Sequence, residues 1–223
     1  MINIHENILP ASPARPGKKL RAFAGVTIHE TGNYSAGANA RNHMIYMTRN
    51  GGSAKQCSYH YVVDETEVYH LIPDNEVAWH AGDGAKGKGN NETIAIEMCV
   101  NTGGDYEQTV KNTAYLTAAL LHERLVRNVK GFIFMHHDFS GKNCPALMRA
   151  GRAGGIEAFR LLAQGYLDEM WGPADEGEAE QKPAASKLYR VQTGAFSSES
   201  AAKAYAKKLE SQGIQCFVTD GGV

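Results

Sequence analysis

Gly131-Phe132-Ile133-Phe134-Met135-His136-His137-Asp138-Phe139-Ser140-Gly141-Lys142-Asn143-Cys144-Pro145 passes from an apolar run into a segment crowded with ligating side chains. The apolar run reads as a short buried strand. His136 then falls where a strand ends and a loop begins, and loops held on a rigid scaffold are where chemistry concentrates. The loop offers two imidazoles, a carboxylate, an ammonium and a thiol. Imidazole and thiolate both bind zinc well, and three protein ligands with water in the fourth position make a catalytic site. A polar loop with a buried thiol by chance would contain the same residues. A third ligand from elsewhere in the chain decides between the two readings.

Upstream, Ala22 to Ile28 reads as a core strand that delivers His29 at its end, before a polar Thr31-Gly32-Asn33 turn. His29 is therefore the candidate third ligand, against the commoner case of a surface histidine beside a turn. Thr93 to Val100 is a β-rich run interrupted by one carboxylate, Glu97. A carboxylate in a buried strand is costly unless it is paired, protonated or bound; on a one-sided strand it would simply face solvent. Tyr59–Asp64 and Glu67–Ile72 form two β-rich runs about a short Glu65-Thr66 turn, a hairpin pattern.

Helical composition spans Ala38–Arg49, with Met44, Ile45 and Met47 as core contacts and Gly51-Gly52 as the stop. Tyr106–Lys130 places Leu116, Leu120, Leu121 and Leu125 on one face of a long helix, and Ile156–Met170 reads as another. Residues 1–22, with Pro10, Pro13 and Pro16, are expected as an irregular arm. Between His80 and Asn91 the loop holds Gly82, Gly84, Gly87 and Gly89. It does not follow a phosphate-loop pattern, and it suits a mobile rim or a wall facing a substrate. His80 and Asn91 are the candidate groove residues there, against a structural turn.

The fold class expected is α/β: a central, mostly mixed sheet flanked by helices, followed by a small β-α-β segment. Residues 1–170 form the first domain, with its core at 22–162. Residues 171–187 are acidic, flanked by proline and almost free of bulky apolar side chains, which is linker composition. In 188–223, Leu188–Phe196 alternates like a strand, Ser198 caps a helix to about Gln212, and Ile214–Val218 is a second strand.

The 223 residues carry 43% hydrophobic and 21% charged side chains, as soluble globular chains do, and a formal net charge of −1. That charge gives no electrostatic case for nucleic acid or an anionic membrane, and no apolar run is long enough to span a bilayer. Met1 to Asn7 lacks the basic and apolar regions of a secretory signal, so synthesis in the cytoplasm without a signal peptide is expected. Cys57, Cys99, Cys144 and Cys216 are too scattered for a disulfide framework. Cys57 and Cys99 are expected as small buried residues.

Taken together, Val26-Thr27-Ile28-His29, Ser58-Tyr59-His60-Tyr61-Val62-Val63, Ile94-Ala95-Ile96-Glu97 and the His136-to-Pro145 segment resemble the zinc-dependent N-acetylmuramoyl-L-alanine amidases of the T7 lysozyme type. Peptidoglycan recognition proteins share that fold. The resemblance covers roughly Ala22 to Leu162, and the last motif is the most specific, following the form found in phage endolysins and prophage autolysins. It implies Zn2+ held by His29, His136 and Cys144, choosing between two adjacent histidines that the residues alone leave open. It implies Glu97 as the group that takes a proton from water and passes it to the leaving nitrogen. It implies Lys142, with Tyr59, as support for the developing oxyanion. His137 and Asp138 are left as supports of the metal ligands or as structural residues. The expected partner is peptidoglycan, both glycan strand and stem peptide, and the expected place of action is the cell wall. A non-catalytic recognition module, or an amidase that recycles soluble muropeptides, is the alternative; such relatives typically lack the cysteine that stands here at 144. Tyr189–Phe196 and the Ala-rich helix after it resemble the SPOR domains that bind peptidoglycan, as a partial unit.

Overall fold

The strands expected around Val26, Ile94 and Ile133 lie side by side as parallel neighbours. The computed structural model describes residues 2–50, 57–172, 198–210 and 218. Its strands are β1 (Asn3–Glu6), β2 (Gly25–Glu30), β3 (Tyr61–Val63), β4 (Glu67–His70), β5 (Thr93–Met98) and β6 (Ile133–Met135). They form one sheet in the order β1-β4-β3-β5-β2-β6, in which only the β3–β4 hairpin is antiparallel. The helices are α1 (Ala40–Asn50), α2 (Lys88–Glu92), α3 (Tyr106–His122), α4 (His137–Ser140), α5 (Ala146–Arg149), α6 (Gly155–Trp171) and α7 (Glu199–Glu210).

Side chains alternate across a strand, and the two faces of the sheet bury different partners. Val26 and Ile28 of β2, with Ile94, Ile96 and Met98 of β5, pack against Leu116, Leu120 and Leu121 of α3 and Phe159 and Leu167 of α6. On the other face, Val62, Ala95 and Cys99 pack with Ala40 and Met47 of α1. β2 and β5 are buried almost throughout, which is why they read as continuous apolar runs and not as alternation.

Several boundaries differ from expectation. The N-terminal arm opens with a strand: β1 pairs in parallel with β4 at the sheet edge, and Leu9 and Ala14 beyond it are buried. The long helix ends at His122, because the chain reverses there and Leu125 takes a left-handed backbone (φ 58°) with its side chain 77% exposed. Cys99 is buried but Cys57 is exposed. Trp171, expected to open the linker, is the last residue of α6; its indole N–H donates to Val126 O at 3.0 Å.

The chain divides into two units, Met1–Glu176 and Gly177–Val223. In the second, Ser198 does cap α7, accepting from Ala201 N at 3.3 Å. The expected strands at 188–196 and 214–218 and the linker beyond Gly172 lie outside the described residues, Val218 excepted. Among the described residues no helix is long and apolar enough to cross a membrane.

Candidate metal centre

Three adjacent strands end at one edge of the sheet, and each delivers a polar side chain there. β2 and β5 run parallel with His29 opposite Glu97, so the two side chains leave the same face one strand spacing apart. β6 flanks β2 on its other side with Met135 opposite Ile28. His136 follows directly and donates its N–H to Ile28 O at 3.3 Å. The C-terminal edge of parallel strands is a common position for a site in α/β sheets.

Cys144 returns to this edge from the loop after β6. Its sulfur lies 3.9 Å from His29 Nδ1, and His29 Nδ1 lies 3.1 Å from His136 Nδ1. One ligand atom from each of His29, His136 and Cys144 falls within 4.8 Å of the others, and all three residues are buried. Ligand atoms of a tetrahedral zinc with N and S donors stand about 3.3 to 3.6 Å apart, so the donor set fits a divalent ion with one position left for a fourth ligand. Among the described residues no other His, Cys, Asp and Glu side chains form such a group.

The electrostatics suit the two imidazole donors and oppose the thiolate. Burial lowers the pKa of His29 well below the ordinary imidazole value, and the neighbouring histidines add to it. Burial, reinforced by Lys142, takes His136 down to about 4. Both imidazoles are therefore neutral, the form that ligates metal. Burial pushes the Cys144 thiol up to about 12, so metal binding must displace its proton. Glu97 is held up at about 7 by burial, with Lys142 pulling against the shift. One Glu97 oxygen is 4.0 Å from His29 Nδ1, and the other has no partner among the described residues. The Tyr59 hydroxyl is likewise buried without a described partner, and burial together with Glu97 raises its pKa well above normal. Lys142 is exposed, yet near enough to influence His29, His136 and Glu97.

His137 turns away from the group. Its N–H donates to Cys144 O at 3.0 Å, and its ring lies between Lys142 O (3.2 Å) and the Arg149 guanidinium (3.3 Å). Asp138 accepts from Met135 N at 2.8 Å and closes the turn.

The two expected groove residues have other surroundings. His80 is buried behind His29, its Nδ1 3.0 Å from His29 Nε2. Asn91 is fully buried, accepting from Lys18 Nζ at 2.7 Å and donating to Ala85 O and Gly87 O. Its amide is committed within the protein. The loop around it is tied together by hydrogen bonds: Asp83 accepts from Gly89 N (2.6 Å) and Asn90 N (3.3 Å), and Asn90 Oδ1 accepts from His80 N and Ala81 N, both at 2.8 Å. Glu30, next to His29 on β2, is barely legible in the sequence. Its only signal is a carboxylate directly after a candidate ligand in an otherwise apolar strand.

A mixed sheet with two histidines and a cysteine converging at the edge of its central parallel strands defines an α/β protein with a group that could hold a metal ion. The chain belongs to the N-acetylmuramoyl-L-alanine amidase family, whose sequence model matches residues 19–147. A second model, for the SPOR domain, matches residues 167–220. Relatives include the N-acetylmuramoyl-L-alanine amidases CwlH and XlyA of Bacillus subtilis (strain 168). CwlH is 36% identical over 146 residues, 65% of this chain. XlyA is 34% identical over 173 residues, 74% of this chain. The chain spans about half the length of these relatives, 56% of each. The solved catalytic domain of XlyA superposes with a TM-score of 0.65 at 32% identity, covering 73% of this chain and 99% of that one. The structure of PlyL does so with 0.61 at 27% identity, covering 74% and 97%.

Proposed function

We propose that the chain is a zinc amidase that hydrolyses the bond between N-acetylmuramic acid and L-alanine in peptidoglycan, acting on the cell wall as an endolysin or autolysin does. The observation that carries this reading is the convergence of His29, His136 and Cys144 beside a buried carboxylate oxygen of Glu97 that has no partner among the described residues. Family membership and the amidase names of its relatives support it.

An unactivated amide resists water, so the site must both polarise the carbonyl and ready the nucleophile. His29, His136 and Cys144 would hold a divalent ion, which would supply Lewis acidity for both purposes. Glu97, opposite His29 in the register, takes the proton of the attacking water and returns it to the leaving alanine nitrogen. Lys142 and the Tyr59 hydroxyl donate to the carbonyl oxygen as negative charge builds on it. The catalytic domain then runs to the end of α6 at Trp171, the residues after it to 187 form a linker, and 188–223 a SPOR-type segment that holds the enzyme on the wall. The SPOR match supports that last assignment.

The test is the purified chain on isolated cell walls. New L-alanine N-termini without new reducing sugars are expected. Reducing sugars without new N-termini would make the chain a glycosidase and end the proposal.

A further inference from the structure

Glu30 follows His29 on β2, so its side chain leaves the opposite face of the sheet. There its carboxylate is 8% exposed and receives three hydrogen bonds. Tyr106 OH (2.6 Å) and Met148 N (3.1 Å) donate to one oxygen, and Leu147 N (2.8 Å) to the other. Leu147 and Met148 follow Cys144 closely, in the short helix α5. The backbone N–H of Glu30 meanwhile points at the Cys144 sulfur, 3.4 Å away. One residue therefore neighbours the first metal ligand, donates to the sulfur of the third, and grips the segment that carries that sulfur.

We infer that Glu30 is a positioning residue for the metal centre, holding Cys144 at a set distance from His29 across 115 residues of sequence. The inference rests on the metal reading above. A carboxylate suits the task because it only accepts, and it meets three donors. Hydrogen bonds to an ionised group are also the stronger ones. A glutamine in its place would turn an NH2 group toward at least one of those donors and loosen the cysteine segment. Groups that orient metal ligands typically change metal affinity about 10- to 100-fold when removed.

The test is cobalt(II) titration of the metal-stripped full chain, read as affinity and as the sulfur-to-cobalt charge-transfer absorption. The wild type and the Glu30→Gln and Tyr106→Phe variants are compared, with circular dichroism confirming that each is folded. Glu30→Gln is expected to bind at least about tenfold more weakly, with a diminished charge-transfer band. Tyr106→Phe leaves both amide contacts and is expected to show a smaller change in the same direction. Folded variants that differ from wild type only in thermal stability, with affinity and band unchanged, would overturn the inference. If Glu30→Gln does not fold, Tyr106→Phe alone decides by the same criterion. A wild type that binds cobalt without the band would overturn the metal reading itself, and this inference with it.

Discussion

His136 and His137 are adjacent and chemically identical, and they differ only in what they touch. His136 Nδ1 faces His29 Nδ1 at 3.1 Å, whereas the His137 ring is held between Lys142 O and Arg149. His136→Ala should lose bound metal, measured by elemental analysis, and His137→Ala should keep it. Glu97→Gln should keep the metal while kcat falls roughly 10²- to 10⁴-fold, the usual range for a lost general base. Wild-type turnover in Glu97→Gln would remove that residue from the mechanism. His80 lies against the outer nitrogen of His29. His80→Ala is therefore expected to weaken metal binding roughly tenfold or more; a residue in the substrate groove would instead raise KM at full metal content.

At the scale of elements, the loop from Gly82 to Asn91 carried the most misleading signal. Its four glycines suit a mobile rim or a substrate-facing wall by composition, but Gly87 and Gly89 serve close packing around the Asp83 carboxylate, while Gly82 and Gly84 take positive φ. A Cβ at Gly87 would lie 2.0 Å from Asp83 Cγ, and one at Gly89 would lie 2.3 Å from Ala81 Cβ. Gly89→Ala should therefore lower stability by about 1–3 kcal/mol through overpacking, seen in thermal unfolding; an unchanged midpoint would show that the loop yields. Composition cannot distinguish glycine that frees a chain from glycine that lets two segments touch, because the second depends on a neighbour distant in sequence. The overlong helix is a similar case. The apolar spacing continues to Leu125, but the chain must turn back to reach β6, and tertiary connection overrode the local pattern.

Across the whole first unit, Asp74 ties together elements far apart in sequence. Tyr61 OH of β3 donates to it at 2.7 Å and the Arg124 guanidinium after α3 at 2.9 Å, while the His70 ring of β4 stands 3.4 Å away. His70 also pairs with Glu6 of β1 at 2.9 Å, which fastens the edge strand. Burial alone would raise the Asp74 carboxyl, but the bonds from His70, Tyr61 and Arg124 outweigh it and hold the pKa at about 2. A carboxyl lower in the folded than in the unfolded chain adds stability above the unfolded value, and that contribution is lost as pH falls through about 2. The contribution is roughly 2 kcal/mol. Unfolding free energy measured between pH 5 and pH 2 should fall more steeply for wild type than for Asp74→Asn. Parallel curves would show that Asp74 is not the group responsible.

The amino-acid sequence determined the residue types and their order along the chain. The central strands showed as apolar runs because both of their faces are buried, and His29, Glu97, His136 and Cys144 stood out as polar groups at the ends of such runs or inside them. Tertiary structure decided which of these groups meet. The parallel register of β2 with β5 and β6 sets His29 opposite Glu97 and beside His136, and no local pattern encodes register between strands dozens of residues apart. The same pairing turns His137 outward, buries His80 and Asn91, and brings Glu30 against the segment that carries Cys144. The loop from His136 to Cys144 can hold a metal ion with His29 only because β2 lies beside the strand that leads into it.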